Sequence, residues 1–211
     1  MNVKVCGITN QDDAEMAADA GADLIGVIID VPVETPRKIS LEKACEIKEA
    51  VAGKNIVAVL MPEDVGEVIK VVEKLSPYAI QLHGNESIEL IGEIRENVDV
   101  KIIKAFHVDE NIDLDYVRSA SEFADMILLD TKAGKKVGGT GVQHDYSIDL
   151  KIKDLVSKPL ILSGGLNPEN VAQAIKAVRP DVVDVSSGVE ISPGVKDVKK
   201  IGKFISIVKN G

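Results

Sequence analysis

Short runs of Val, Ile and Leu recur along the whole chain. These runs are continuous rather than alternating, which is typical of parallel strands that are covered on both faces. Eight of them predict strands, over Val3–Cys6, Asp23–Ile29, Asn55–Leu60, Ala79–Leu82, Val100–Ala105, Met126–Asp130, Pro159–Leu162 and Val182–Val185.

Between the strands, apolar residues recur every three or four positions, as on one face of a helix. Leu41, Ala44 and Ile47 form such a stripe. The segment Thr131–Leu150 is rich in glycine and only weakly helical near its end. The other segments predict helices over Asn10–Ala20, Ser40–Val51, Asp64–Leu75, Ser87–Glu96, Asp113–Ser121, Asn167–Val178 and Ser192–Val208.

The strict alternation of strand and helix predicts a parallel sheet. Eight units in 211 residues favour a compact (β/α)8 TIM barrel, slightly below the usual length of about 250 residues. A doubly wound sheet is the main alternative. A related phrase opens every second strand, with Asp23, Tyr78, Asp125 and Asp181 at equivalent positions, which indicates a quarter-barrel repeat. We find no linker, and therefore expect one domain over residues 1–211.

Charge and composition exclude several classes of protein. The 34 acidic residues outnumber the 25 basic ones, which gives a net charge of −9 and argues against binding to nucleic acid or to an acidic membrane surface. The apolar run Leu24–Ile29 is far shorter than the ~20 residues of a membrane span. Two cysteines cannot form a disulfide framework, and no secretory leader is visible. We therefore expect a cytoplasmic protein.

The sequence gives no sign of a metal site, since His83, His107 and His144 lack ligand spacing along the chain. Chemistry is instead expected where the strands end, because active sites of barrels lie on the loops that follow them. The last two loops carry Gly164, Gly165, Ser187 and Gly188. Glycine allows close approach of a ligand to backbone N–H groups, and a helix start adds positive charge. These loops are either a phosphate site or simple turns.

Four other side chains at strand ends are candidates for chemistry. Cys6 is either a small core residue or a base or nucleophile. Asp130 ends a buried strand, which suits acid–base work or an ion pair. Asp184 interrupts an apolar strand and shares a face with Val182 and Ser186, so it needs partners or binds a ligand. Arg37 is either a surface charge or a fork for a carboxylate.

An ordered set of motifs resembles the phosphoribosylanthranilate isomerase family over nearly the whole chain. The motifs are KVCGIT at 4–9, GADLIGV at 21–27, TPRKI at 35–39, QLHGNE at 81–86, LLD at 128–130, GGTG at 138–141, SGGLNPENV at 163–171 and DVSSGVEISPGVKD at 184–197.

The resemblance implies an Amadori rearrangement in tryptophan biosynthesis that uses neither cofactor nor metal. Carried over, Cys6 is the general base, which requires a thiolate, and Asp130 is the general acid, which requires a protonated carboxyl. Arg37 matches the residue expected to hold the anthranilate carboxylate, and Asp184 and Gln81 are expected to contact the substrate. The glycine-rich loops with Gly164, Gly165, Ser187 and Gly188 match the phosphate site. We expect a small phosphorylated partner and a monomer or homodimer.

The chain departs from the family pattern in two places. After the second strand, Gly26-Val27-Ile28-Ile29 replaces a run with aromatic residues, and the loop to Arg37 is longer. After GGTG, His144 and Tyr146 replace phenylalanine and tryptophan. Two alternatives stay open: another phosphate-binding barrel enzyme, and a barrel that binds a phosphorylated metabolite without turnover.

Overall fold

The computed structural model describes residues 1–131 and 146–211. Eight parallel strands form a closed barrel, as the sequence predicts. Two residues form a short strand beside the barrel, and two further strands form a hairpin. In chain order the strands are β1 (Asn2–Val5), β2 (Leu24–Ile29), β3 (Lys38–Ile39), β4 (Asn55–Leu60), β5 (Ala79–Leu82), β6 (Lys101–Val108), β7 (Met126–Thr131), β8 (Leu160–Ser163), β9 (Val182–Val185), β10 (Glu190–Ser192) and β11 (Val195–Lys196).

The barrel closes because β1 pairs with both β2 and β9. The order around it is β1-β9-β8-β7-β6-β5-β4-β2, and β3 extends the sheet only beside β2. Every pairing within the barrel is parallel. A doubly wound sheet has two open edges, so this closure excludes the alternative. The carboxyl ends of all eight strands therefore meet at one end of the molecule.

Helices follow the strands. Several begin at a capping side chain: Asn10, Ser40, Asp64 and Ser87 each accept the N–H three residues further on. Among the described residues, no helix is long and apolar enough to cross a membrane. The helices are α1 (Gln11–Asp19), α2 (Leu41–Ala50), α3 (Val65–Leu75), α4 (Ile88–Asn97), α5 (Leu114–Glu122), α6 (Ser147–Leu155), α7 (Val171–Val178) and α8 (Val198–Asn210).

The predicted helix Ser192–Val208 is wrong at its start. The hairpin of β10 and β11 occupies the first residues, and α8 begins only at Val198. Pro193 and Gly194 lie between the two strands, and Gly194 has φ +83°, a conformation that Pro-Gly turns favour. Asp197 then caps the helix through its side chain.

Two other predicted boundaries shift. The helix expected over Asn167–Val178 begins at Val171, because residues 167–170 form a turn in which Val171 N–H donates to the Asn167 carbonyl at 3.1 Å. The strand expected over Val100–Ala105 continues to Val108. This longer strand brings His107 to the end of the barrel.

The apolar core has two layers. One lies between strands and helices, and a smaller one contains alternate residues of the strands, including Leu24, Val57, Ala79, Leu128 and Val182. Successive residues of a strand point to opposite faces. The inward face is therefore apolar low in the barrel and becomes polar near the strand ends, where the side chains of the site lie.

The quarter repeat corresponds to a shared contact at the amino-terminal end of the barrel. In three quarters, an aspartate that precedes a strand accepts the N–H near the start of the preceding barrel strand: Asp23 from Val3 at 2.7 Å, Asp125 from Ile102 at 2.8 Å and Asp181 from Leu160 at 2.8 Å. In the remaining quarter the Tyr78 hydroxyl accepts from Lys101 at 2.7 Å. The repeat thus stabilises strand pairing at the end of the barrel that lies away from the cavity.

We expect Asp181→Ala to lower the free energy of unfolding by about 1–2 kcal/mol, since the N–H of Leu160 loses a charged acceptor. Asp181→Asn keeps an acceptor oxygen and should lose less. Urea denaturation measures both, with Asp154→Ala on the exposed surface of α6 as the matched control. A loss at Asp181 no larger than at Asp154 would show that the contact does not stabilise the fold.

Candidate active site

A cavity of about 300 Å³ opens at the carboxyl ends of the strands. It brings together residues that are far apart in the sequence. Among the described residues, eight of the nine predicted site residues line this cavity, and Gly188 does not. The GGTG motif at 138–141 and His144 lie outside the described residues. The cavity is lined by the predicted residues Cys6, Arg37, Gln81, Asp130, Gly164, Gly165, Asp184 and Ser187.

The two glycine-rich loops depend on their glycines for close backbone contact. Gly164 has φ +92°, and a Cβ at this position would collide with the Thr131 carbonyl oxygen. A Cβ at Gly188 would collide with the carbonyl oxygen of Leu166. Gly188 therefore allows the loop after β9 to lie against the loop after β8. A short 3-10 helix over Ser187–Val189 follows β9.

Cys6 lies just past β1 and is 6% exposed. Its sulfur lies against β2, where Gly26 leaves the space that a Cβ would take. Lys196 Nζ donates to the Cys6 carbonyl at 2.6 Å. Burial raises the pKa of the Cys6 thiol, and the positive charges of Lys4 and Lys196 only partly oppose this.

Lys4 is completely buried inside the barrel, one inward position before Cys6. Its Nζ lies 3.1 Å from Asp184 Oδ1, and the Ser163 hydroxyl donates to Asp184 Oδ2 at 3.2 Å. Burial lowers the pKa of Lys4, but Asp184 and Cys6 more than offset this, so the net direction is upward. Asp184 therefore has the partners that its position requires. Its expected contact with substrate stays a prediction.

Arg37 is held in the cavity wall by Glu190, which the sequence reasoning missed. Arg37 Nε and Nη2 donate to the two oxygens of Glu190 at 2.8 and 2.6 Å. Lys196 Nζ, also buried, donates to Glu190 at 2.9 Å. Two basic side chains thus share one carboxylate. Burial lowers the pKa of Lys196, and the contact with Glu190 opposes this. Glu190 and Lys196 stand in the hairpin that the sequence reasoning assigned partly to a helix.

Asp130 lies between two histidines. Its Oδ2 is 3.4 Å from His107 Nδ1 and 3.7 Å from His83 Nε2. The two rings contact each other edge to face, and Gln81 Nε2 lies 2.8 Å from His83 Nδ1. His107, followed by His83, holds the pKa of Asp130 well below its usual range, although burial opposes this.

These pKa directions differ from the protonation states that the predicted roles require. Burial favours a Cys6 thiol, and the histidines favour an ionised Asp130. The expected reactive form has a thiolate and a protonated carboxyl. Both forms carry one proton on the pair, so they differ in where that proton resides and not in total charge.

The motif-based assignment missed several supporting side chains, and each had a weak signal. Lys4 is a lysine in an apolar strand, and its partner Asp184 stands opposite it in the parallel register of β1 and β9. His107 stands opposite Asp130 in the register of β6 and β7, a pairing that exists only because β6 extends beyond the predicted strand. Spacing along the chain does not reveal such contacts, because they join neighbouring strands.

Comparison with known proteins gives consistent results. The family described as "N-(5'phosphoribosyl)anthranilate (PRA) isomerase" matches residues 3–207. A relative from Methanocaldococcus jannaschii is named N-(5'-phosphoribosyl)anthranilate isomerase. It is 41% identical over an alignment of 221 residues, gaps included, which spans 99% of this chain and 97% of the relative.

Solved structures agree. The crystal structure of phosphoribosyl anthranilate isomerase from Thermotoga maritima superposes with a TM-score of 0.87 at 41% identity, and covers 100% of both chains. A structure of the same kind of isomerase in complex with reduced 1-(o-carboxyphenylamino)-1-deoxyribulose 5-phosphate has a TM-score of 0.85 at 39% identity, again over 100% of both chains.

We expect the Cys6 thiol to ionise at a higher pH than an ordinary thiol, whose pKa is about 8.5, because its pKa is raised by burial. In the variant Cys45→Ser, Cys6 is the remaining thiol, and thiolate absorbance against pH measures its ionisation. The variant Cys6→Ser supplies the background. A midpoint at or below that of a free thiol would contradict the burial argument.

Proposed function

The chain belongs to the N-(5'-phosphoribosyl)anthranilate isomerase family, and from this premise we propose which of its residues carry out the reaction. The enzyme isomerises N-(5'-phosphoribosyl)anthranilate to 1-(2-carboxyphenylamino)-1-deoxyribulose 5-phosphate in tryptophan biosynthesis. Family membership removes the alternatives of a different barrel enzyme and of a barrel without turnover. The observation that supports the proposed roles is the single cavity that contains Cys6, Asp130, Arg37 and the glycine-rich loops.

The phosphate is proposed to bind at Gly164, Gly165 and Ser187, with Gly188 holding the two loops together. Backbone N–H groups in such turns bind anions without a lysine cluster, and the loops after the seventh and eighth barrel strands are the usual phosphate site in this fold. This explains how a protein with a net charge of −9 binds an anionic substrate.

Arg37 is proposed to bind the anthranilate carboxylate. Its guanidinium has five N–H groups, of which Glu190 takes two, so others are left to donate. The positive charge of Lys196 prevents Glu190 from neutralising the arginine completely. Gln81 and Asp184 line the same cavity and are proposed to contact the sugar.

Asp130 is proposed to open the sugar ring. Its protonated carboxyl donates to the furanose oxygen, the bond from C1′ to that oxygen breaks, and the nitrogen lone pair forms a Schiff base. The former ring oxygen becomes the hydroxyl on C4′. The substrate brings two anionic groups into the cavity, which favours the protonated form of Asp130 over its carboxylate.

Cys6 is proposed to complete the isomerisation. Its thiolate removes the proton from C2′, and the electrons of that bond neutralise the Schiff base and give an enolamine. The enolamine then becomes the ketone by losing the C2′ hydroxyl proton and gaining one at C1′. Lys4 and Lys196, whose charges face Cys6, stabilise the thiolate in this step.

We also propose that the enzyme works in the cytoplasm, where thiols stay reduced and Cys6 stays available. A monomer or a homodimer is expected, and light scattering on the purified protein distinguishes the two.

Cys6→Ala and Asp130→Asn are each expected to lower kcat by at least about 10²-fold, as loss of a general base or acid does. The loss of anthranilate fluorescence as substrate is consumed measures turnover, and circular dichroism checks the fold. Cys45→Ala and Asp154→Asn are matched controls that should keep normal turnover. Near-normal turnover in both Cys6→Ala and Asp130→Asn would refute the proposed roles.

The reduced product is expected to bind at least about tenfold more tightly than its dephosphorylated counterpart, since each hydrogen bond to a charged group contributes about 1.5–3 kcal/mol. Calorimetry with both ligands measures the difference, and inorganic phosphate should compete only with the phosphorylated one. Equal affinities would place the phosphate outside the glycine-rich loops.

A further inference from the structure

Three potential metal ligands meet at the mouth of the cavity. His83 follows β5, His107 lies in β6 and Asp130 lies in β7, so three adjacent strands each supply one group. The candidate ligand atoms, one from each residue, all lie within 4.8 Å of one another. The sequence reasoning excluded a metal because histidine spacing along the chain gives no signature, but here the ligands are brought together across strands.

The spacing fits a small cation. Asp130 Oδ2 lies 3.4 Å from His107 Nδ1 and 3.7 Å from His83 Nε2. In a tetrahedral site with bonds of about 2.0–2.1 Å, neighbouring ligand atoms lie about 3.3–3.4 Å apart. The two Asp130 contacts are already near this spacing. The three ligand atoms as a set lie within 4.8 Å of one another, so a bound ion would draw the two histidine rings closer together.

The donor set and its surroundings favour a d-block ion. Two imidazoles and one carboxylate suit Zn²⁺, Co²⁺ or Ni²⁺ better than Mg²⁺ or Ca²⁺, which prefer oxygen. His107 is half exposed and His83 and Asp130 are partly exposed, so an ion can enter and keep an open position. The net charge of −9 favours cations near the protein.

Gln81 is placed to orient His83. Its amide is buried, its Nε2 lies 2.8 Å from His83 Nδ1, and its Oε1 has no hydrogen-bond partner among the described residues. Turning the amide over places Oε1 at Nδ1, where it accepts Nδ1–H and leaves the Nε2 lone pair for a cation. A contact of this kind is typical behind metal-binding histidines.

We propose that His83, His107 and Asp130 form a binding site for one divalent d-block cation of the Zn²⁺ type, and that the bound cation excludes the substrate. Binding itself depends only on the three ligands. Exclusion of substrate rests on the proposed function, because the cation would occupy the carboxylate that acts on the furanose oxygen.

The binding test uses the full chain without substrate. Co²⁺ should bind with one-to-one stoichiometry and give visible absorption of a site with nitrogen and oxygen ligands, and Zn²⁺ should displace it. His107→Ala and Asp130→Asn should each weaken binding at least tenfold. Loss of a contact that only supports a ligand already lowers metal affinity by about 10–100-fold, and loss of the ligand itself should cost no less. Unchanged affinity in His107→Ala would overturn the proposal.

Cys6→Ser serves as the control for a competing thiolate ligand in the same cavity. It should keep the affinity and the spectrum of the original chain. Loss of binding in Cys6→Ser, or a sulfur-to-cobalt charge-transfer band, would assign the ion to Cys6 and refute the proposed site. If His107→Ala does not fold, paramagnetic shifts of two histidine rings by Co²⁺ in the unaltered chain replace it, and their absence would equally refute the site.

Inhibition is measured separately. Zn²⁺ should raise the apparent KM of the isomerase without lowering kcat, and a chelator should restore it. Binding without inhibition would refute the exclusion of substrate and leave the ion site intact. An inactive enzyme that still binds Co²⁺ would contradict the proposed function alone, so the two failures are distinguishable.

Discussion

The buried contact between Lys4 and Asp184 is the interaction on which the rest of the structure depends. It joins β1 to β9, the pair of strands at which the first and last barrel units meet. A charged amine in an apolar interior is tolerated only with a close partner, and removing one partner of such a pair destabilises a protein by about 3–5 kcal/mol. The same amine lies beside Cys6 and opposes the effect of burial on its thiol. The contact between Lys4 and Asp184 thus joins the strands that close the barrel and also places a positive charge beside Cys6.

A second group of charges fixes the wall of the cavity. Glu190 binds both Arg37 and Lys196, and Lys196 also donates to the Cys6 carbonyl and to the Ser186 carbonyl at 3.2 Å. This group ties the loops after β1, β2 and β9 together. The arginine is therefore oriented by the protein itself, and in the proposed role this orientation reduces the entropy lost when the substrate carboxylate binds.

The sequence predicted much of this arrangement because its signals are local. Apolar runs marked all eight barrel strands, and glycines marked the loops beside β8 and β9. The hairpin over Glu190–Lys196 was missed because Pro193 and Gly194 follow only three residues that could form a strand. The register that places Lys4 opposite Asp184, and the approach of His107 to Asp130, depend on pairing between strands that are distant in the sequence.

The pKa directions were the part least accessible to sequence reasoning. A strand end indicates that a thiol or carboxyl is placed for chemistry, but the sign of its pKa shift depends on its neighbours. For Asp130 those neighbours are His107 of β6 and His83 of the loop after β5. For Cys6, burial outweighs two lysines. The pKa directions therefore favour a Cys6 thiol and an ionised Asp130, and the proposed acid–base roles require the bound substrate to change this state.

A crystal structure of this chain with the reduced product 1-(o-carboxyphenylamino)-1-deoxyribulose 5-phosphate bound tests the central claim most directly. The account predicts that Cys6 Sγ lies against C2′ and that a carboxylate oxygen of Asp130 accepts from the C4′ hydroxyl. The phosphate should lie on the amides of the loops after β8 and β9. A ligand whose sugar is out of reach of either Cys6 or Asp130 would contradict the account.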